Sequence, residues 1–174
     1  MPRKGLIMVH TGNGKGKTTA ALGLACRALG HNLPVSIVQF IKGTWKYGEL
    51  KAVQRFDGLL EIHATGNGFT WKSKDPEADR QAAQEAWEMA KSLISEGNKH
   101  LVVLDEITYP INYGMIDEAD VLETLRTKPE ALHVLITGRN APQALVDMAD
   151  LVTEMRDVKH HYKSGVRAQK GIEY

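Results

Sequence analysis

The sequence predicts an α/β fold, in which a mostly parallel sheet carries helices on both of its faces. Short apolar, β-rich runs alternate along the chain with stretches of helical periodicity, as expected for successive β-α units. The run Leu101–Leu104 has no polar interruption, which is typical of a central strand buried on both faces. Polar motifs follow several of these runs, and ligands of such folds bind at the carboxyl ends of the strands.

Each element has a local signal. Apolar runs predict six strands, which are Gly5–His10, Val35–Phe40, Leu60–Ala64, Leu101–Leu104, His133–Ile136 and Leu151–Glu154. Helical spacing predicts five helices, which are Lys17–Leu29, Tyr47–Phe56, Asp75–Glu96, Asp117–Leu125 and Pro142–Ala149. The third is the clearest, because Asp75 is placed to cap it, Pro76 suits its first position and Gly97 ends it. An alanine-rich stripe, Ala78, Ala82, Ala86, Ala90 and Leu93, is predicted to face the core.

Length and composition predict one soluble domain spanning residues 1–174. Hydrophobic residues make up 43% and charged residues 25% of the 174 residues. The net charge of +1 and the lack of a basic aromatic surface argue against a nucleic-acid partner. No apolar run suits a membrane span or a signal peptide, and the single cysteine, Cys26, allows no intrachain disulfide, so we expect a cytoplasmic protein. Cys26 is interpreted as a small buried hydrophobe.

A glycine- and lysine-rich segment follows the first strand and opens the first helix. Its candidate nucleotide-binding residues are Gly12, Asn13, Gly14, Lys15, Gly16, Lys17, Thr18 and Thr19. Glycines let the backbone amides converge on an anion, while Lys17 adds a full charge and Thr18 a hydroxyl for a divalent cation. The usual pattern has glycine where this chain has Thr11. The alternative is a glycine-rich turn without a ligand, which the added lysines and threonines disfavour.

Two carboxylates, Asp105 and Glu106, end the most apolar strand. P-loop folds place such an acid beside the cation, and Mg²⁺ takes one or two carboxylates together with phosphate oxygens. Either residue is therefore a candidate metal ligand, and a helix cap near Ile107 is the alternative. Arg139 follows another apolar strand and is a candidate phosphate-neutralising or surface charge. Arg27 is a candidate nucleotide contact or a solvated helix position.

These motifs together resemble the ATP:corrinoid adenosyltransferases of the bacterial cobalamin pathway, which have a P-loop (RecA-like) fold. The resemblance covers nearly the whole chain. It is carried by segments 11–19, 38–43, 68–71, 103–106 and 136–139 and by the tail from Val158 to Tyr174. Thr11 at the first loop position fits this family. The Phe69-Thr70-Trp71 segment and the tail Ala168–Tyr174 are more specific than the phosphate loop, which many ATPases share.

The resemblance implies that Co(I) of a corrinoid attacks the 5′ carbon of ATP and releases triphosphate. ATP is the cosubstrate and the corrinoid (cobalamin or cobinamide) the acceptor, with Mg²⁺ or Mn²⁺ as cofactor. ATP is expected to lie reversed in the loop relative to hydrolytic enzymes, with Thr18 and Glu106 as metal contacts. The resemblance further implies a homodimer and a flavin-type reductant as partners.

Phe69 and Trp71 match the aromatic pair that the family places beneath the corrin ring. There they would replace the lower axial ligand of Co(II), which makes the cobalt easier to reduce. From composition alone, this glycine-rich loop leaves ligand contact and ordinary core packing open.

The chain departs from the family pattern in two places. Gly66-Asn67-Gly68 is longer than expected before the aromatic pair. The first predicted strand begins so early that the cover provided by the N-terminal helix of longer members is expected to be absent or supplied in another way. The basic tail from His160 to Tyr174 is either a solvated flank or a contact for corrinoid or phosphate, and the resemblance favours a site-covering role.

Two other functions fit parts of the pattern. A RecA-like ATPase, hydrolysing ATP to ADP, also uses an apolar strand that ends in Asp-Glu, with the glutamate orienting water. A nucleotide-dependent binding module or corrinoid carrier would bind both molecules without turnover. The products separate the three possibilities.

Overall fold

A computed structural model describes residues 4–41, 48–56, 58–65 and 75–174. These residues form a six-stranded sheet of order β3-β2-β4-β5-β1-β6 in which every pairing is parallel. The strands are β1 Ile7–Thr11, β2 Val35–Gln39, β3 Leu60–Ala64, β4 Leu101–Asp105, β5 His133–Thr137 and β6 Leu151–Glu154. The helices are α1 Lys17–Leu29, α2 Gly48–Ala52, α3 Pro76–Glu96, α4 Thr108–Asn112, α5 Glu118–Arg126 and α6 Gln143–Met148.

The four central strands β2, β4, β5 and β1 are largely buried on both faces, as their apolar runs predict, whereas the edge strand β6 is exposed. On one face, Met8, Ile37 and Val103 pack against the Ala21–Leu29 side of α1. On the other, alternate strand residues such as Val9 and Val102 pack with α3, α5 and α6. This two-sided burial confirms the predicted layers.

Helix α3 has the predicted ends. The Asp75 carboxylate accepts a hydrogen bond from Ala78 N–H, Pro76 is the first helical residue, and Gly97 ends the helix with a positive φ of 62°. Its buried face is rotated from the predicted stripe. The buried side chains of α3 are those of Asp79, Ala83, Ala86, Trp87, Ala90, Leu93 and Ile94. Successive steps of four residues drift around a helix of 3.6 residues per turn, which moves Ala78 and Ala82 to the margin.

The interpretation of Cys26 as a buried residue is wrong. Cys26 is exposed, because the buried side of α1 runs through Ala21, Ala25, Ala28 and Leu29, and Cys26 lies one helical step off that side. The short helix α4 does begin near Ile107, but its N-cap is Ile107 and no side chain caps it, so the alternative role of Asp105 or Glu106 as a helix cap is wrong. Helix α4 contains Pro110 and spans five residues, too short for a periodic pattern to reveal.

Within the described part of the chain, no helix combines the length and apolar character needed to cross a bilayer.

Candidate functional site

The carboxyl edge of the sheet brings the predicted polar motifs together. The parallel register sets Gln39 beside Asp105 and His10 beside Thr137, each at or next to the end of its strand. The phosphate loop leaves β1 at this same edge. Residues that are far apart in sequence are therefore neighbours here, as the prediction from strand ends requires.

The phosphate loop curls around its own lysine. Lys17 is buried, and its Nζ donates to the carbonyls of Gly12 at 2.7 Å and Gly14 at 2.8 Å. Gly12 and Gly16 have φ values of 93° and 120°, a region that side chains with a Cβ rarely adopt. These conformations fold the loop tightly over the first turn of α1, with the ammonium inside the curl.

The N-terminus of α1 differs from those of α3 and α5. The latter two are capped by Asp75 and Asp117, and each has two acidic residues in its first turn. Helix α1 begins after Gly16, has no side-chain cap and has no acidic residue in its first turn, features it shares with the short helices α4 and α6. Its N–H groups and positive dipole end are therefore not neutralised by a nearby carboxylate of the helix, as suits an anion-binding terminus.

Burial lowers the pKa of Lys17, and the nearby Arg139 guanidinium lowers it further. Glu106 and Asp105 act in the opposite direction and favour the ammonium form. The charges of Glu106, Asp105 and Arg139 are thus all close enough to the Lys17 ammonium to change its pKa. The structure therefore brings these four predicted site residues together.

Asp105 is the centre of a buried polar network. Its Oδ1 accepts from Thr18 Oγ1 at 2.9 Å and from Thr137 Oγ1 at 2.8 Å, and its Oδ2 lies 3.5 Å from Gln39 Nε2. Asp105 is only 1% exposed, so these hydrogen bonds replace water around a carboxylate. The network links the first turn of α1 to β2, β4 and β5.

Glu106 has an unusual backbone. Its φ of 64° lies in the left-handed region, which is costly for a residue other than glycine. The Thr137 hydroxyl accepts from Glu106 N–H at 2.9 Å and so holds this conformation. A strained residue fixed between β4 and α4 is the kind of feature that clusters at functional sites.

Arg139 lies on an ordered turn after β5. Its carbonyl accepts from Thr108 Oγ1 at 2.7 Å, while its side chain is exposed. Burial raises the pKa of the nearby Tyr109, and Arg139 partly offsets that effect. The turn requires Gly138, whose φ is 144° and whose missing Cβ leaves room for Thr108. Helix α4 thus fixes the backbone from which Arg139 extends.

The remaining predicted residues divide into three groups. Asn13, Lys15 and Thr19 are exposed on the loop and the first turn of α1. Arg27 is exposed in the last turn of α1, about 15 Å along the helix from Lys17 at the standard rise per residue. Phe69, Trp71 and the Gly66–Gly68 segment lie outside the described residues.

Sequence reasoning missed Gln39 and Thr137 as partners of Asp105, and His10 as a site neighbour. A usable signal was present, because a polar residue at the end of an otherwise buried strand needs a partner at the same edge. His10 precedes the loop, and burial lowers its pKa although a hydrogen bond with the Lys17 backbone opposes this.

The oxygen donors at this edge fit a hard divalent cation. Thr18 Oγ1 and the Asp105 carboxylate are already in contact, and Glu106 is the next residue along the chain. Hydroxyl and carboxylate oxygens are the donors that Mg²⁺ prefers, and phosphate oxygens supply further ligands in nucleotide sites. No group of three His, Cys, Asp or Glu side chains suited to a metal occurs among the described residues.

Comparison with known proteins decides the family. Residues 3–174 match the family model of the ATP:corrinoid adenosyltransferases BtuR/CobO/CobP. The chain belongs to this family. A corrinoid adenosyltransferase from Sinorhizobium sp is 44% identical over 98% of this chain and 81% of the relative. One from Escherichia coli K12 is 43% identical, and the corrinoid adenosyltransferase CobA of Salmonella typhimurium is 44% identical; both alignments span 98% of this chain and 86% of the relative.

The fold has a more distant structural relative. The crystal structure of the flagellar accessory protein FlaH from Methanocaldococcus jannaschii superposes with a TM-score of 0.57 at 13% identity. The match covers 88% of this chain and 72% of that one. It supports the fold alone, and with the parallel sheet it confirms the predicted P-loop (RecA-like) class.

Proposed function

We propose a mechanism by which this chain carries out the ATP:corrinoid adenosyl transfer of its family. The observation that carries it is the meeting of Lys17, the uncapped N-terminus of α1 and the Asp105–Thr18 pair at one edge of the sheet. A polyphosphate is the ligand that all three features favour, because it takes ammonium, backbone N–H and metal contacts together.

The first role is to hold triphosphate as a leaving group. When ATP binds, Lys17 exchanges its bonds to Gly12 and Gly14 for phosphate oxygens, and the first-turn amides of α1 donate to the same anion. Negative charge grows on the oxygen bound to the 5′ carbon as the bond breaks. Fixed donors stabilise that charge without reorganising, which is the largest contribution expected from the protein.

Thr18, Glu106 and Asp105 are the residues that we expect to hold Mg²⁺ or Mn²⁺, and the metal supplies further charge neutralisation to the triphosphate. Asp105 orients the Thr18 hydroxyl through the hydrogen bond already described. Arg139 adds a positive charge near Lys17, and we propose that it contacts the departing phosphates. We propose that Gly12–Thr19 form the remaining nucleotide contacts. Contact between Arg27 and the nucleotide stays a prediction from the sequence.

The transfer needs no protein nucleophile. The Co(I) corrinoid donates an electron pair to the 5′ carbon, a cobalt–carbon bond forms, and the carbon–oxygen bond breaks with its pair leaving on triphosphate. Alignment of cobalt, carbon and leaving oxygen then becomes the main requirement on the protein. We propose that Phe69 and Trp71 act before this step. From below the corrin ring they displace the lower ligand of Co(II), which makes its one-electron reduction to Co(I) by the flavin-type reductant easier.

Further properties of the enzyme are inferred from the family resemblance and composition. We infer a single adenosyltransferase domain over residues 1–174, a homodimer, a flavin-type reductant and a cytoplasmic location. The balanced net charge of +1 gives no support for a nucleic-acid partner.

The products test this function directly. Purified protein is incubated with ATP, Mg²⁺ and chemically reduced cobalamin, and the corrinoid spectrum and phosphate products are measured. We expect an adenosylated corrinoid and an equal amount of triphosphate. ADP and phosphate without corrinoid alkylation would instead indicate an ATPase, and binding of both molecules without products would indicate a carrier.

A further inference from the structure

The C-terminal segment from Met155 to Tyr174 packs directly against the phosphate loop. Met155 N–H donates to Thr11 O at 2.8 Å, and Gly14 N–H donates to Met155 O at 2.6 Å. The segment thus continues the pairing of β6 with β1 into the loop itself. One loop amide, that of Gly14, is thereby bonded to the tail.

The contact between the tail and the phosphate loop also requires glycine at positions 12 and 14. A Cβ on Gly12 would lie 2.5 Å from Met155 O, and one on Gly14 would lie 2.7 Å from the Arg156 backbone. Neither position leaves room for a side chain, because the obstacle is backbone rather than a flexible side chain. The tail and the phosphate loop therefore fit each other closely at their backbones.

A second contact joins the far end of the tail to the loop. Lys15 Nζ lies 3.4 Å from Ile172 O and 3.7 Å from Glu173 Oε1. Lys15 is 40% exposed at its side chain, whereas Glu173 is only 19% exposed. The ammonium of Lys15 is thus on the tail side of the loop, whereas that of Lys17 is inside the curl.

The Glu173 carboxylate is itself held by the fold of the tail. Its Oε2 accepts from Gln169 N–H at 2.7 Å, and its Oε1 lies 3.0 Å from His161 Nε2. Backbone bonds from Glu173 N–H to Gln169 O and from Gly171 N–H to Tyr174 O close the turn. The carboxylate is therefore a fixed partner for Lys15 rather than a freely rotating surface charge.

We propose that Glu173 is a positioning residue that acts through Lys15 and keeps the phosphate loop in the shape that accepts ATP. The inference rests on the proposed role of this loop in holding the polyphosphate. Glu173 itself touches neither substrate in this account. Its carboxylate anchors the outer side of the loop, while the Met155 backbone anchors the loop at its beginning.

The sign of a binding change separates this role from simple electrostatics. Glu173→Gln removes a negative charge near a polyanion, so charge repulsion alone predicts tighter ATP binding. Loss of a positioning contact predicts weaker binding. Asp157→Asn is the matched control, because Asp157 is a carboxylate of the same tail whose ion pair is with Lys163 at 2.6 Å, not with the loop.

The experiment is calorimetric titration of the full chain with ATP and Mg²⁺, for the wild type, Glu173→Gln, Lys15→Met, the double variant and Asp157→Asn. We expect Glu173→Gln to weaken binding about two- to fivefold, the range set by exposed ion pairs. The double variant should bind like Lys15→Met alone, and Asp157→Asn should bind like the wild type or more tightly. The Glu173→Gln defect should shrink at high salt, which a purely structural defect would not do.

Three results would overturn the proposal. They are unchanged or tighter binding by Glu173→Gln, additive losses in the double variant, and an equal loss in Asp157→Asn. Failure of the wild type to bind ATP would reject the proposed function itself, and the positioning role with it.

Discussion

The charged groups at the two edges of the sheet differ in their exposure to water and in their bonding partners. At the amino edge, charged groups form pairs in contact with water, such as Lys4 with Asp150, where the lysine side chain is 71% exposed. At the carboxyl edge, Lys17 and Asp105 are 5% and 1% exposed and bond to groups within the protein. Exposed pairs contribute little stability and cost little, whereas buried charges are costly unless their partners are well placed. Buried charges held by partners within the protein are the kind of arrangement that supports the proposed nucleotide site at the carboxyl edge.

The largest expected effect is at the centre of the carboxyl edge. We predict that Lys17→Ala lowers the rate of adenosyl transfer at least about a hundredfold, because a charged donor to the leaving group is lost. The rate is followed from the corrinoid spectrum with pre-reduced cobalamin. Thermal unfolding serves as the control and should show a folded protein, since removing a buried ammonium also removes its desolvation cost. Near-normal turnover would exclude the phosphate role of Lys17.

The second prediction compares a carboxylate at each edge. Asp105→Asn should lower the free energy of unfolding by about 2–3 kcal/mol, because two hydroxyl donors lose a charged acceptor in a buried site. Asp150→Asn, at the amino edge, should cost less than about 1 kcal/mol because water can replace much of its pairing. Urea unfolding with unchanged m-values measures both. Equal losses at the two edges would remove the contrast.

The third prediction concerns the turn that carries Arg139. Gly138→Ala should destabilise the protein by about 2 kcal/mol, since its Cβ meets Thr108 and its φ is 144°. The matched control is Gly114→Ala, at a φ of 64° with open space around the Cβ position, where about 1 kcal/mol is expected. Denaturant midpoints compare the two, and a larger loss at Gly114 would contradict the packing argument.

The smallest effect is a pH dependence from His10. Burial lowers the pKa of His10 in the folded protein below the ordinary 6.5, which applies to the unfolded chain. At a pH between the folded-state pKa and the unfolded-state pKa, the unfolded chain therefore binds more protons than the folded one. The contribution of neutral His10 to the free energy of unfolding is therefore fully present above pH 6.5. It is lost as the pH falls from 6.5 to the lower folded-state pKa. His10→Asn should flatten the fall of the thermal midpoint between about pH 7 and pH 5. An equally steep fall in the variant would assign the effect to other groups.

The strands and most helices were predictable because their signals are local. The uninterrupted Leu101–Leu104 run requires burial on both faces, and Asp75 with Gly97 marks the ends of α3 without tertiary information. The phosphate loop was predictable for the same reason, since its amides, lysine and hydroxyl are contiguous in sequence.

What escaped prediction depends on register and on contacts between distant segments. The pairing of Asp105 with Gln39 requires the alignment of β2 with β4, and its pairing with Thr137 requires the neighbouring β5. The Glu173–Lys15 contact depends on the tail meeting a loop about 150 residues earlier, which no local pattern encodes. The buried side of α1 likewise excludes Cys26 for a reason visible only in the packed helix.

We propose that the phosphate loop holds the polyphosphate of ATP with its 5′ carbon turned toward the corrinoid. A crystal structure of the protein with ATP and Mg²⁺ would show whether the nucleotide lies in this way. We predict that Lys17 Nζ leaves the carbonyls of Gly12 and Gly14, where it now lies at 2.7 and 2.8 Å, and contacts phosphate oxygens. A nucleotide bound elsewhere, with both of these hydrogen bonds intact, would contradict the account.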